Sequence, residues 1–397
     1  MVMLQLCMCF NKVISWLRGR FFPPQLGKYV IYLSVILIPI LIYPISINGN
    51  TVSMRGIREA AFLSFAFVIC SFLQKNKWLS LFLIWCIANW WLNFFQPFNS
   101  FFGLVNILSA YLIYVGFKFL LKNKIVSSNV LIYIICSIVI FQALWMIMQM
   151  FNFDPVFYPV NTVGDYLGGK MPLVGWSGNP SLLGIFFASF SFLFLAYMRK
   201  FKIPIIFITI LILSLFIKNF TTLLCYCAGV LFYTFCTYKN KKLFVLSFIS
   251  IALLIAGVIW IKKPNFDRLY IWGKMIKDGL HIRPFVGSGV NFFSNLHIVD
   301  KTGTPWKEAH NDYLQMLLEL GIVGISLLSL FIISKFREFF IKFKTNKQVA
   351  MMCCLVGFLV SGVSLFPMHL AQMSFLAIIV LACLEDSYET EILPNNS

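Results

Sequence analysis

"VLIYIICSIVIFQALWMIMQMF" fills residues 130–151 without one Asp, Glu, Lys or Arg. Wound as a helix rising about 1.5 Å per residue, such a run is roughly 33 Å long and crosses the hydrocarbon of a bilayer. Similar apolar runs recur on both sides of it, at roughly 29–47, 57–73, 78–95, 100–120, 178–198, 203–217, 220–237, 243–261, 313–333, 349–366 and 370–384. The 397-residue chain is 60% hydrophobic and only 12% charged, a balance that excludes a soluble domain of this length. Its 44 Phe suit lipid-facing and interfacial positions. The runs do not alternate apolar and polar residues, which excludes a transmembrane β-barrel. The expected fold is all-α, a polytopic transmembrane helical bundle of about 12 spans with both termini on one side.

The net charge of +18 is the second constraint. In a soluble chain it would suggest nucleic acid, but no nucleic-acid-binding motif is present and the charge sits in short loops between spans. With the N-terminus inside, 20 of the 32 Lys and Arg fall in inner segments. Eight of the other 12 lie in one long loop, 262–310, and the short outer loops are nearly bare, so the positive-inside rule gives a cytoplasmic N-terminus. This divides the chain into a basic cytoplasmic segment (1–28), a membrane domain (29–384) with two long extracytoplasmic loops (152–177 and 262–312), and an acidic, polar cytoplasmic tail (385–397). The basic segment reads equally as an interfacial stretch or a topogenic tail. It has no charged region ahead of "MVMLQLCMCF", which argues against a cleaved signal peptide. Both long loops contain Trp, Pro and Gly rather than low-complexity repeats, so ordered structure is expected, helical in the second.

None of the 11 cysteines falls in these loops, and His281, His297, His310 and His369 lack metal-ligand spacing. Neither disulfides nor a metal site are expected. The polar residues that stand out are elsewhere. In "KEAHNDYLQMLLELGIVG" (307–324), His310, Asn311 and Asp312 precede an apolar helix. Asp312 with Gln315 reads as an N-cap pattern, which puts His310 just outside the helix. The helix dipole and nearby cations there disfavour imidazolium, leaving a neutral base; a polar interfacial His with no chemistry fits as well. Gly321 and Gly324 allow close helix contact.

Upstream, Arg268 and Trp272 are one helical turn apart and share a face. Gly287 and Gly289 in "GSGVNFF" form a tight turn, read either as a phosphate loop or as the lead into an interfacial anchor. Lys218 and Asn219 divide two apolar runs as a tight outer turn. Asn179-Pro180 suits the first turn of a span. Arg268, Lys218, Lys170 and His310 share the outer side without an acidic cluster for Mg²⁺. That combination of fixed cations and a neutral base suits a lipid-linked phosphate handled without metal.

Three of these segments resemble the O-antigen ligase and O-antigen polymerase superfamily. "AHNDYLQMLLELGIVG" (309–324) is similar to its signature: a His followed by Ser or Asn, a Leu four residues after the His, an acidic residue, then Gly-x-x-Gly. "RLYIWGKMIKDGLHIRPFVGSGVNFF" (268–293) resembles the segment just upstream, and "GWSGNPSLLG" (175–184) its Gly-x-x-x-Asn-Pro-Asn element. The likeness covers roughly 174–330; the N-terminal spans match only in hydropathy. It implies a GT-C-type glycosyltransferase of the bacterial inner membrane, acting on the periplasmic face without metal, cofactor or nucleotide sugar. The donor would be a glycan on undecaprenyl diphosphate, and the acceptor a hydroxyl of lipid A–core (ligase) or of a growing glycan (polymerase). By the same likeness His310 is the base on that hydroxyl and Arg268 binds the diphosphate. Trp272, Asn311, Gly287, Gly289 and Asn179 complete the donor site. The family usually carries an arginine where this chain has Lys218, a point charge without the bidentate fork. A transporter of lipid-linked oligosaccharide is the rival of a different class. It would need charges along a path through the membrane, and the span interiors here are almost free of them.

Overall fold

The computed structural model describes residues 29, 31–33, 35, 46–47, 50–51, 77–92, 99–151, 153, 173, 175, 179–197, 202–217, 219–237, 245, 249, 267–280, 283–289, 298–299, 305–306, 309–343, 345–365 and 367–390. It is all-helical apart from two antiparallel pairs of two-residue strands, Ser46–Ile47 with Asn50–Thr51 and Ile298–Val299 with Pro305–Trp306. The helices are α1 (Lys77–Leu92), α2 (Asn99–Lys122), α3 (Ser128–Met150), α4 (Pro180–Phe190, continued as a 3₁₀ turn Ser191–Tyr197), α5 (Lys202–Leu215), α6 (Phe220–Thr237), α7 (Asp267–Leu280), α8 (Asp312–Lys342), α9 (Asn346–Ser361) and α10 (Ala371–Thr390). Four segments among the described residues are long and apolar enough to cross a membrane: α3, α4 with its 3₁₀ continuation, α6 and α8. The expected spans 29–47, 57–73 and 243–261, and the loop 152–177, lie largely outside the described residues.

The chain divides into two compact units. The first comprises Met1–Gln74, Ser109–Gly178 and Phe375–Ser397. In it the buried Glu385 accepts a hydrogen bond from Tyr114 (2.6 Å) and an ion pair from Lys118 (2.5 Å). Helix α10 runs to Thr390, past the span end expected at 384. Gln149 on α3 accepts from the Gly175 amide at 2.9 Å.

The second unit, Lys75–Leu108 and Asn179–Ser374, contains Arg268, Trp272 and His310. At its centre α4, α6 and α9 pack through small residues. A Cβ on Gly229 would overlap the Phe192 ring, and one on Gly357 would press on the Ala188 carbonyl at 3.1 Å. Helix α9 starts with a capping box in which Thr345 and Gln348 bond each other's backbone. Helix α8 runs nine residues past the end expected at 333. Lys335 and Lys342 both bond Glu338 at helical spacing (3.1 and 2.8 Å), which stabilises the extension as helix.

Helix α8 is not continuous. Gly321 sits at φ 69°, ψ −175°, outside helical geometry. Backbone groups orphaned by such a break need other partners, and the segment 283–289 supplies partners for four of them. Ser288 and Gly289 donate to the Leu318 and Glu319 carbonyls (both 2.9 Å). Ile322 and Val323 donate to the Pro284 and Phe285 carbonyls (2.9 and 3.3 Å). From α1, the Trp85 indole donates to the Leu320 carbonyl at 2.9 Å, and the Asn89 amide donates to the Val286 carbonyl. The expectation of close helix contact at Gly321 is therefore replaced by a broken helix with a docked loop. Gly321 and Gly287 (φ 75°) face each other so closely that a Cβ on either would overlap the other's segment.

Candidate functional site

Arg268, Trp272 and His310 are brought together by packing on the first turns of α8. Helix α7 is amphipathic: Ile271 and Met275 are buried against Ala309, Leu314 and Leu318, with Trp272 packed at the edge. The Trp272 indole N–H donates to the Ala309 carbonyl at 2.9 Å and so fixes the residue before His310. One turn back on α7, half-buried Arg268 donates through Nη1 to the Ser364 carbonyl at 2.8 Å.

The turn after α9 joins the same group. The Asp312 amide donates to the Gly362 and Leu365 carbonyls (2.8 and 3.2 Å), and the fully buried Asp312 carboxylate accepts from the Met368 amide at 2.8 Å. Ser364 Oγ lies 2.6 Å from Thr221 Oγ1, at the start of α6. One turn thus holds Arg268 through a carbonyl and α8 through its first amide. Sequence reading missed Ser364, Gly362 and Thr221. The only available signal was the short "SGVS" break before Pro367.

The cap of α8 is Asn311, not Asp312. Asn311 is extended and its Oδ1 accepts from the Leu314 amide at 3.0 Å. Gln315 is used differently from a capping residue: its Oε1 accepts from the Ala309 amide (3.3 Å) and its Nε2 donates to Glu319 (3.1 Å). Asp312, expected to cap, is freed to bind the 367–369 turn. His310, one residue before the cap, adopts φ 49°. A non-glycine residue there costs about 1–2 kcal/mol, a strain that surrounding contacts must hold in place.

His310 is half-buried. Burial first, and then the Arg268 guanidinium, lower its imidazole from 6.5 to about 4. The sequence argument placed the cause in dipole and cations; desolvation is the larger one. Burial also lowers Arg268 from its ordinary value. At neutral pH the pair is a charged guanidinium beside a neutral imidazole, a cation for an anion and an acceptor for a proton.

The remaining candidates are placed differently. The amides of Gly287, Ser288 and Gly289 donate to Arg283, Leu318 and Glu319 carbonyls, so these glycines serve the docking of the loop on α8 rather than present amides to a phosphate. Asn179 caps α4, its Oδ1 accepting from the Ser181 amide at 2.8 Å ahead of Pro180. Lys218 and Lys170 lie outside the described residues. Next along the chain from Lys218, Asn219 accepts from the Thr221 amide at 2.8 Å, and Thr221 reaches Ser364 as above. Among the described residues no group of three His, Cys, Asp or Glu is arranged to hold a metal ion. No protein-family model matches the chain, and no curated protein sequence matches it.

Proposed function

We propose that this chain is a membrane-embedded glycan transferase of the O-antigen ligase type, built as a GT-C-like bundle of about 12 spans with its site on the periplasmic face. In this reading Arg268 binds the diphosphate of an undecaprenyl-diphosphate-linked glycan, with Lys218 as a second cation. The acceptor hydroxyl oxygen attacks the anomeric carbon from the face opposite the leaving group and inverts it. The bond from that carbon to the diphosphate oxygen breaks, and its electron pair leaves with the diphosphate, where Arg268 stabilises the growing charge. His310 takes the hydroxyl proton and later returns it to water.

The observation that carries this reading is a neutral His310 within the field of a charged Arg268, at the start of an apolar helix long enough to span a bilayer. Trp272 supports it by tying Arg268's helix to the residue before His310. Transfer to lipid A–core and chain polymerisation would both use this site chemistry. A cellular readout separates them. A strain lacking this chain, examined by lipopolysaccharide gel, loses its ladder and accumulates carrier-linked polymer if the chain is a ligase. It makes core with one repeat if the chain is a polymerase. Complementation with His310→Asn, which keeps a polar side chain but accepts no proton, is expected to fail, since loss of a general base slows transfer by about 10²–10⁴-fold. Near-normal turnover of His310→Asn would remove the base assignment and leave His310 an orienting group.

A further inference from the structure

The loop docked at Gly321 has a depth, and α8 is the ruler. Lys335 is the first cation along α8, and counting back about 20 residues, the length that spans about 30 Å of hydrocarbon, places the opposite edge near Gln315. Leu314 and Leu318, which receive α7, then lie at that edge. Gly321, which receives the 283–289 loop, lies about 9 Å below it.

Irregular backbone at such a depth is tolerated only where its polar groups are satisfied. Here the carbonyls of Arg283, Pro284, Phe285 and Val286 accept from Gly287, Ile322, Val323 and Asn89, and the amides of Gly287, Ser288 and Gly289 all donate. These bonded groups are suited to an apolar surrounding. The loop's exposed side chains are Phe285 (65%) and, at the loop's start, Arg283, whose long stem lets the charge stay at headgroup level. On α7, Leu269 (55%) and Ile276 (47%) stand seven residues apart on the face turned away from α8, with exposed Lys277 beside them. A helix with one apolar stripe packed on protein, a second one exposed and a basic flank is the pattern of an interfacial helix.

We propose that α7 and the 283–289 loop form a half-inserted lipid-contact surface. Phe285 reaches into the acyl chains of the leaflet where α8 begins, and Leu269 and Ile276 lie at its boundary. The occupant is bilayer lipid, chosen over a protein partner because α8 sets Phe285 at hydrocarbon depth and α7 at its edge. The proposal requires α8 to span the membrane and is independent of the chemistry assigned to His310.

The test uses the full chain reconstituted in phosphatidylcholine–phosphatidylglycerol vesicles, with bimane on Phe285→Cys, Ile276→Cys or Leu269→Cys. The parent protein, carried through the same labelling, supplies the background from native cysteines. Lipids bearing a nitroxide at mid-chain are expected to quench the label at 285 more than headgroup nitroxides do. At 269 and 276 the shallower probe is expected to dominate, and aqueous iodide to quench none of the three. Quenching at 285 by iodide but not by lipid nitroxides overturns the proposal. So does a label that neither reaches, because protein then covers the surface. If Phe285→Cys fails to fold, the two α7 positions decide, since each lies on the outer face of a helix.

Discussion

Gly287→Ala tests the loop that docks on the broken α8. The glycine has φ 75°, where an alanine loses about 1 kcal/mol or more. Its new Cβ would also overlap the Glu319 carbonyl and the Gly321 amide, which are backbone and cannot swing aside. The loop must lift, and four main-chain bonds to Leu318, Glu319, Ile322 and Val323 loosen with it. At about 1 kcal/mol net per bond, partial loss of these together with the backbone term gives roughly 3–5 kcal/mol. In a thermal melt of detergent-solubilised protein this corresponds to a midpoint lower by about 5–15 °C. Gly273→Ala is the matched control. It sits in α7 with nothing within 4 Å of its Cβ, so the same change is expected to raise the midpoint slightly through helix propensity. If Gly287→Ala melts with the parent, the loop is not seated on Gly321 and the reasoning fails.

Arg268→Lys is expected to lower transfer severely with little change in the melt, because one ammonium cannot both keep the bond to the Ser364 carbonyl and present a planar fork to a diphosphate; a variant with parental kcat/KM refutes the diphosphate assignment. The pH profile follows from His310. Its proton-accepting form is the neutral one and its value is lowered to about 4, so kcat/KM is expected to stay level through neutral pH and fall only as the pH approaches about 4. An acid limb near 6.5 in kcat/KM would show an imidazole that is neither buried nor beside a cation.

The helices were legible because uncharged apolar runs of 17–25 residues need no partner to be recognised. The start of α8 was misplaced by one residue because Asn311 and Asp312 are both good caps, and only the tertiary demand of Met368 for a carboxylate decides between them. The Gly-x-x-Gly at 321–324 was legible as a place of close helix contact, but not as a break. Its partners, Pro284 and Phe285, lie more than thirty residues away. Ser364 was invisible for the same reason: it holds Arg268 through a main-chain carbonyl, which any residue carries. His310 and Arg268 could be singled out by residue type, whereas the left-handed backbone of His310 has no signature in its sequence.

On the proposed chemistry, the geometry also dictates an order. An imidazole lowered to about 4 is neutral everywhere of interest but a weak base, and part of that weakness comes from Arg268. A diphosphate on Arg268 would neutralise the guanidinium field at His310 and exclude more water. The first effect raises the imidazole toward the working range; the second opposes it. His310 is half-buried, so the donor acts on both, and the diphosphate, set on the guanidinium itself, changes the field most directly. We expect the base to strengthen when the leaving group is in place and to stay weak when it is absent. A hydroxyl or water entering an empty site meets an acceptor too feeble to activate it. Transfer is coupled to donor binding through the same arginine that holds the donor, with no moving part beyond the ligand itself.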